Sequence, residues 1–385
     1  MNTNFWPPLQ VIANARIAQG ILYTFDLEVL KCSFFVGLFR TEYVKRIEEK
    51  ISVIVLPTYP RTFSHLSVEP TKFAGVKYLP LPNAIQKQLV GVVMALTLEI
   101  EKWFKSHRYI VRDDNLDLQN KVSWFSFGII DRLQTARNFI QDENLNIRER
   151  FHLACIYYFE DDVQMLWRNM STSDRFYVRR RLPRTRSLEL WLQILHRNSP
   201  LNWEEILRHE RLGFFGSNTL GMRRYFAYLR SPQIRRQCIS FALGKAHHFD
   251  LYSCLRLINI GELNAMFHYL PIVKICELFQ SFLQWPFQII FLDIVNDFQR
   301  HINEDVFHGL VTFILGYKLG MGCKDHPYVN LFRRFWNLLS ARYEDYVENH
   351  KEQYVLVKYV LENSNEFNIR EYFILMDTNF FQNRI

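Results

Sequence analysis

Apolar residues recur once per helical turn in two short runs between Ile147 and Met170, with an acidic break between them. The first run consists of Ile147, Phe151, Ala154, Cys155 and Tyr158. These positions share one face of a helix. After the break, Asp162 is suited to begin the second helix, because its carboxylate can accept hydrogen bonds from first-turn N–H groups. Two helices joined by so short a break fold back on each other, so the pattern predicts an αα-hairpin.

A similar pair of runs begins 87 residues later. Its first helix has corresponding side chains at Ile234, Cys238, Phe241, Ala242 and Lys245. Its second helix begins at Asp250, 88 residues after Asp162, and a fainter version lies between Gly20 and Leu30. Fixed spacing is typical of repeat proteins, but few residues are identical. Repetition and coincidence between amphipathic helices therefore remain equal alternatives.

Helical spacing continues through most of the chain, and a proline-rich stretch interrupts it. Residues 1–56 are predicted to form an N-terminal helical cap, although Ile51 to Val55 would also suit a short strand. Five of the 13 prolines lie between Pro57 and Asn83, where a continuous helix cannot run. We interpret residues 57–83 as a docked linker and residues 84–385 as a helical array. The fold class expected is all-α, an irregular, α-solenoid-like array of αα-hairpins with little or no β-sheet.

Composition places the chain among folded intracellular proteins. It has 385 residues, of which 49% are hydrophobic and 22% charged, enough for a large core. Its start, MNTNFWPPLQ, lacks the regions of a secretory signal, and no apolar run is long enough to span a membrane. Six cysteines without a C-x-x-C pair favour buried, reduced thiols. We expect a soluble protein of the cytoplasm or the nucleus.

The positive charge is concentrated in one segment. From Arg168 to Arg236 there are 15 arginines, no lysine and five acids, an excess of ten positive charges, whereas the whole chain carries +8. The densest part supplies the candidate site for an anionic partner: Arg175, Arg179, Arg180, Arg181, Arg184 and Arg186. Arginine pairs in a bidentate manner with phosphates and carboxylates, and the intervening aromatic residues could stack on bases. Nucleic acid, a phosphorylated partner and an acidic protein surface are all compatible. The alternative is that these arginines pair with acidic helix faces such as Glu160 to Asp162, or simply solvate their own helices.

Motifs for catalysis, cofactors or metals are missing. His247 and His248 fall in the turn of the second predicted hairpin, and no H-E-x-x-H or C-x-x-C accompanies them, so we interpret them as turn and core histidines. The loop from Gly316 to Gly322 lacks the Walker pattern, and no G-x-S-x-G occurs. The sequence therefore predicts no metal, no cofactor and no catalytic residue. A site assembled from distant residues is not excluded.

Two segments carry a resemblance to known proteins. They are RERFHLACIYYFEDDVQMLW, residues 148–167, and ARIAQGILY, residues 15–23. Both resemble a group of uncharacterised arthropod proteins with helical-repeat character, a resemblance that implies no activity and no site residues. The paired helices are also similar in a general way to ankyrin and HEAT repeats, although the ankyrin motif T-P-L-H-x-A is absent.

Helical arrays act through extended surfaces, so the leading hypothesis is a non-catalytic scaffold or adaptor for protein–protein interaction. The alternative is a protein that binds nucleic acid, or another polyanion, through residues 175–186. A compact cleft lined by converging ionisable groups would argue against the scaffold hypothesis.

Overall fold

The fold is taken from a computed structural model that describes residues 5–25, 37–58, 77–111, 118–182, 185–197, 201–203, 218–363 and 367–376. The elements of the first half are α1 (Leu9–Leu22), α2 (Gly37–Ser52), β1 (Val55–Thr58), β2 (Lys77–Pro80), α3 (Asn83–His107), α4 (Leu118–Lys121), α5 (Arg132–Gln141), α6 (Ile147–Tyr157), α7 (Glu160–Asn169), α8 (Thr172–Arg181) and α9 (Arg186–Arg197).

The second half continues with short helical elements. These are α10 (Met222–Tyr225), α11 (Pro232–Ala242), α12 (His248–Leu255), α13 (Ile260–Tyr269), α14 (Ile272–Ser281), α15 (Phe291–Asp297), α16 (Glu304–Thr312), α17 (Tyr328–Glu348), α18 (Lys351–Glu362) and α19 (Ile369–Met376). Single 3₁₀ turns occur at Phe226–Tyr228, Phe287–Ile290 and Gln299–His301, and Phe313–Leu319 forms a π-helix.

The all-α prediction is confirmed for the described residues. The little sheet there is one antiparallel pair, in which Val55 of β1 lies opposite Pro80 of β2. The proposed strand at residues 51–55 is therefore wrong except for its last residue, because α2 continues to Ser52. The middle of the predicted linker, residues 59–76, lies outside the described residues. At its end Leu81 is buried, and α3 begins directly after Pro82.

The hairpin expected at residues 147–170 is present as α6 and α7, but the prediction that Asp162 caps the second helix is wrong. Helix α7 begins at Glu160 with Phe159 as its N-cap residue, which places Asp162 inside the first turn. Helix α6 ends at Tyr157, and its C-cap residue Tyr158 has a left-handed backbone with φ of 56°. This conformation is uncommon for a large residue, and packing holds it: the Tyr158 hydroxyl lies 2.8 Å from Ser187 Oγ, and its ring packs edge-on against Tyr225.

The second predicted hairpin corresponds to α11 and α12. Helix α11 ends at Ala242, earlier than Lys245, and Gly244 with φ of 75° takes the left-handed position in the turn. Asp250 lies in the first turn of α12, as Asp162 does in α7. The two hairpins therefore share an acidic first turn but differ in how the first helix ends.

Buried apolar side chains form one connected cluster that extends from Phe5 to Tyr372. Some of its contacts join distant segments: the Phe5 ring packs edge-on against Phe127 and Phe287, with centroids 5.3 and 5.0 Å away, and Trp285 Nε1 donates to the Phe127 carbonyl at 3.0 Å. In a solenoid, each repeat contacts only its neighbours. The solenoid-like arrangement is accordingly not confirmed.

Candidate functional site

The structure has a cavity of about 540 Å³, within the size range of small-molecule sites. Its wall is made by the C-terminal half of α3, the start of α5, the segment before α10, the start of α12 with the segment before it, the end of α14 with Gln284, and the π-helix. The charged and imidazole side chains in the wall are Lys102, Lys105, Arg132, Lys245, His247, His248, Asp250 and Glu277. Ionisable groups from separate segments thus converge on one space.

Arg132 is the first residue of α5, directly after its N-cap Asp131. The side chain is 4% exposed, and Nη1 donates to Ser106 Oγ at 3.2 Å. Its buried Nε has no hydrogen-bond partner, and no ion pair among the described residues involves Arg132. A buried guanidinium is usually paired, so this arginine is an exception that calls for an explanation.

Glu99 and His247 form a buried pair although they are 148 residues apart in sequence. His247 is the N-cap residue of α12, and its Nδ1 accepts from Phe249 N–H at 3.3 Å. The proton of the neutral ring therefore sits on Nε2, which donates to Glu99 Oε1 at 3.0 Å. Burial first, and the charge of Arg132 second, hold the pKa of His247 well below its ordinary value, so this contact is a hydrogen bond from a neutral imidazole.

His248 is fixed in the same tautomer by a different group. Its Nε2 donates to the Trp285 carbonyl at 2.7 Å, so Nδ1 keeps its lone pair and makes no hydrogen bond to the described residues. Burial lowers the pKa of His248 well below its ordinary value, and the neighbouring His247 adds to this effect.

Lys102 and Asp250 bring opposite charges to the same wall. Lys102 Nζ lies 3.7 Å from Glu99 Oε1. Burial lowers the pKa of Lys102, and the charge of Glu99 acts in the opposite direction. Burial raises the pKa of the Asp250 carboxyl to about 6, against the charges of Arg132 and Arg223. Arg223 Nε lies 3.6 Å from Asp250 Oδ1, so this acid has a cation of its own.

The π-helix supplies an aromatic part of the wall. The rings of Phe313 and Tyr317 are stacked, with centroids 5.0 Å apart and planes 18° from parallel. Lys318, 4% exposed, places Nζ 5.8 Å from both ring centroids and 5.3 Å from that of Tyr328. π-Helical turns are rare and frequently lie at functional sites.

The arrangement offers two kinds of chemistry. Arg132 and Lys102 present donors that suit an anion, whereas the Ser106 hydroxyl donates to the Lys102 carbonyl at 2.6 Å and accepts from Arg132. Glu99, His247 and His248 form the one group of three within the described ranges that could offer ligands to a metal ion, with one donor atom of each within 4.8 Å of the others. Sequence analysis interpreted the two histidines as turn and core residues and could not place Glu99 beside them.

The arginine-rich segment lies in α8 and at the start of α9. Arg175 donates to the carbonyls of Trp167 and Arg168 at 2.9 and 3.0 Å, and it lies over the Trp167 ring together with Arg179. Arg186 Nη1 lies 3.7 Å from Glu189 Oε2.

Arg180 and Arg181 are exposed on α8, and Arg180 lies over the exposed ring of Phe176. Arg184 is outside the described residues. No ion pair of the described residues joins this segment to Glu160–Asp162, and Glu160 instead accepts from Leu201 N–H. Aromatic rings, carbonyls and one glutamate are the partners that the structure does assign.

Sequence reasoning missed Arg132, Glu99 and Lys102 because no local motif contains them. One signal was available: α3 is apolar for most of its length, yet it has Glu99, Glu101 and Lys102 within four residues. Glu99 and Glu101 are buried there. Buried charge on an otherwise apolar helix is a recognised pointer to a site.

Comparison with known proteins adds no further information on function. No protein-family model matches the chain, and no curated protein or solved structure is similar to it. Among the described helices, none combines the length and apolar character needed to cross a membrane.

Proposed function

We propose that the protein binds a small anionic molecule, a carboxylate or a phosphate, in the cavity of about 540 Å³, and that Arg132 is the main residue that binds the anion. The observation that carries this proposal is the buried Arg132 guanidinium, which lines the cavity without a carboxylate partner among the described residues. Burying an ion without compensation costs several kcal/mol, and an anion in the cavity would offset that cost.

The acids of the wall form no ion pair with Arg132 among the described residues, although the charge of Arg132 lowers the pKa of Asp250 and so acts on this acid at longer range. Asp250 lies beside Arg223, and Glu277 Oε2 lies 2.7 Å from Lys274 Nζ. Lys245, by contrast, is exposed and forms no ion pair with the described residues. Arg132 and Lys245 therefore leave the wall with cationic groups that a bound anion can neutralise.

Calorimetric titration with inorganic phosphate, sulfate and citrate tests the proposal. We expect saturable binding that weakens with salt, and Arg132→Gln should weaken it about tenfold or more, the loss of one charge-assisted hydrogen bond. Arg137→Gln is the matched control, because Arg137 stacks on Phe159 outside the cavity wall. Equal affinities in all three proteins, or no binding of any anion, would contradict the proposal.

Stability provides a second measurement. Because Arg132 forms no ion pair with the described residues and attracts Asp250 only at longer range, Arg132→Met should leave the free energy of unfolding within about 1 kcal/mol of wild type or raise it. A loss of several kcal/mol without ligand would mean that Arg132 serves the fold.

Nucleic-acid binding through α8 is a second candidate. The observation in its favour is that Arg179, Arg180 and Arg181 are exposed on one helix with Phe176, which is 62% exposed. Binding to a single-stranded RNA oligomer should then fall steeply with salt. Reversal of these three arginines to glutamate should abolish it, while Arg342→Glu, also exposed but on α17, should not. Retention of binding by the triple variant would exclude α8.

The scaffold hypothesis rests on architecture alone. The cavity is a cleft lined by converging ionisable groups, which favours ligand binding over a purely structural scaffold. Charge reversal on α8 should leave protein-partner capture intact if the scaffold hypothesis is correct.

A further inference from the structure

We propose that Glu99, His247 and His248 bind a divalent first-row transition-metal ion at the wall of the cavity. One donor atom of each lies within 4.8 Å of the others, and all three side chains are at most 9% exposed. Two imidazoles and one carboxylate are the ligand set of catalytic zinc sites and of non-haem Fe(II) sites.

Two of the three ligands have a donor atom without a hydrogen bond. Glu99 Oε2 is buried and makes no hydrogen bond, although His247 Nε2, which donates to Oε1, lies 2.8 Å from it, and His248 Nδ1 keeps its lone pair because Nε2 donates to the Trp285 carbonyl. A ligand histidine typically donates its other ring N–H to a carbonyl or carboxylate, which fixes the ring orientation and strengthens the donor. His248 already has such an outer contact.

His247 requires one rearrangement. Its Nε2 lies 2.8 Å from Glu99 Oε2, and a metal ion between these atoms would replace the Nε2 proton. That proton moves to Nδ1, and the 3.3 Å contact with Phe249 N–H is given up. This contact is longer than most protein hydrogen bonds, so its loss costs little.

The geometry needs small shifts in both directions. With metal–ligand bonds of about 2.0–2.2 Å, two ligands of a tetrahedral ion lie about 3.3 Å apart. His247 Nε2 and Glu99 Oε2, now 2.8 Å apart, would therefore separate by about 0.5 Å, and donor atoms that lie up to 4.8 Å apart would approach by at most about 1.5 Å. Three protein ligands leave a fourth position for water or for a substrate oxygen from the cavity.

The neighbouring charges should give the site a moderate affinity for the metal ion. Lys102 and Arg132 repel a cation, whereas Glu99 and Asp250 attract it. Binding also requires Lys102 to move from Glu99 Oε1, now 3.7 Å away. An anion held by Arg132 would reduce the repulsion, so metal and anion should each strengthen the binding of the other.

The test uses the tag-free full chain, stripped with a chelator and titrated with Zn²⁺, Co²⁺, anaerobic Fe²⁺ or Mg²⁺ alone, with no anion ligand. We expect one equivalent of a transition metal per chain and no binding of Mg²⁺. Glu99→Gln and His248→Gln should each weaken binding about tenfold to a hundredfold or more, whereas His308→Gln, outside the cluster, should bind as wild type.

Besides a failure to bind any transition metal, two outcomes would overturn the proposal. One is metal binding that survives both Glu99→Gln and His248→Gln in variants whose circular dichroism shows the native helix content. The other is a thiolate charge-transfer band in the Co²⁺ complex of the wild-type chain, which would assign the metal to cysteine. This second measurement does not depend on whether a variant folds. Failure to bind metal would leave anion binding at Arg132 unaffected, so the two proposals fail separately.

Discussion

Gly91 of α3 lies directly against the backbone of Lys324, in the segment that precedes α17. A Cβ atom at position 91 would overlap the carbonyl group of Lys324 and the amide nitrogen of Asp325. The Asp325 carboxylate in turn accepts from Gln288 Nε2 at 2.6 Å and from the Tyr328 hydroxyl at 3.0 Å. Close backbone contact at Gly91 therefore fixes the long helix α3 against the C-terminal third of the chain.

Replacing Gly91 with alanine should lower the free energy of unfolding by about 2 kcal/mol or more. The added methyl group meets backbone that cannot rotate away, and this outweighs the gain in helix propensity of about 1 kcal/mol. Gly20→Ala is the matched control: nothing lies within 4 Å of a Cβ there, so this helical position should gain stability. Chemical denaturation measures both, and equal effects would contradict the close contact.

Asn218 joins three segments through its side chain. Its Nδ2 donates to the Ile156 carbonyl at 2.8 Å and to Ser187 Oγ at 2.9 Å, and its Oδ1 accepts from Gly221 N–H at 3.1 Å. Asn218→Leu should cost about 3 kcal/mol of unfolding free energy, because buried groups lose their partners. The exposed Asn144→Leu should change stability by less than about 0.5 kcal/mol. A small loss at position 218 would show that water replaces these bonds.

His107 should make the protein less stable in mild acid. Burial, aided by the charge of Arg132, lowers the pKa of His107 to about 3, so the folded state keeps it neutral while the unfolded chain protonates near pH 6.5. Stability from this group is complete above pH 6.5 and is lost as the pH falls toward 3, by about 2 kcal/mol between pH 7 and pH 5.

The non-titrating variant His107→Gln isolates this effect. Its side chain can still donate to the Trp103 carbonyl and accept from the Tyr157 hydroxyl, as His107 does. When the pH is lowered from 7 to 5, the free energy of unfolding of the wild type should fall by about 2 kcal/mol more than that of His107→Gln. The exposed His196→Gln is the matched control. A difference at position 107 that does not change with pH would mean that His107 binds its proton equally well in the folded and unfolded states.

Thiol reactivity should divide the cysteines by position. Burial raises the pKa of Cys155 and Cys254 well above the ordinary value and that of Cys238 to about 12, so these thiols form little thiolate. Cys276 and Cys323 are partly exposed. Iodoacetamide at pH 8 should label Cys323 in the native protein, and Cys276 as well but slowly, because burial also raises the pKa of Cys276. Cys155, Cys238 and Cys254 should be labelled only in denaturant, as peptide mass spectrometry would show; Cys32 lies outside the described residues. Native labelling at Cys155 would contradict the packing of α6.

Local patterns were sufficient to predict the helices. Helices α6 and α7 follow from apolar spacing, because a helix that buries one face shows it in its own sequence. The end of α6 could not be predicted, since Tyr158 adopts a left-handed backbone only through packing against residues 29 or more positions away. The π-helix at Phe313–Leu319 also lacks a local signal, because its apolar spacing resembles that of an α-helix.

The candidate site was beyond sequence reasoning for a different reason. His247 and His248 were noticed as a pair, but their meaning depends on Glu99, which only the tertiary fold brings near. The arginines of α8 were found because they are neighbours in sequence. Arg132, for which the argument for anion binding is stronger, has no other arginine or lysine within four residues in the sequence, so no local pattern drew attention to it.

The cavity wall draws on residues from Lys102 to Tyr317. During translation, at about 5–20 residues per second, the N-terminal half of the wall would therefore leave the ribosome many seconds before the last ring is added. A fragment or nascent chain that ends before the π-helix lacks Phe313 and Tyr317, and with them the aromatic part of the cavity wall.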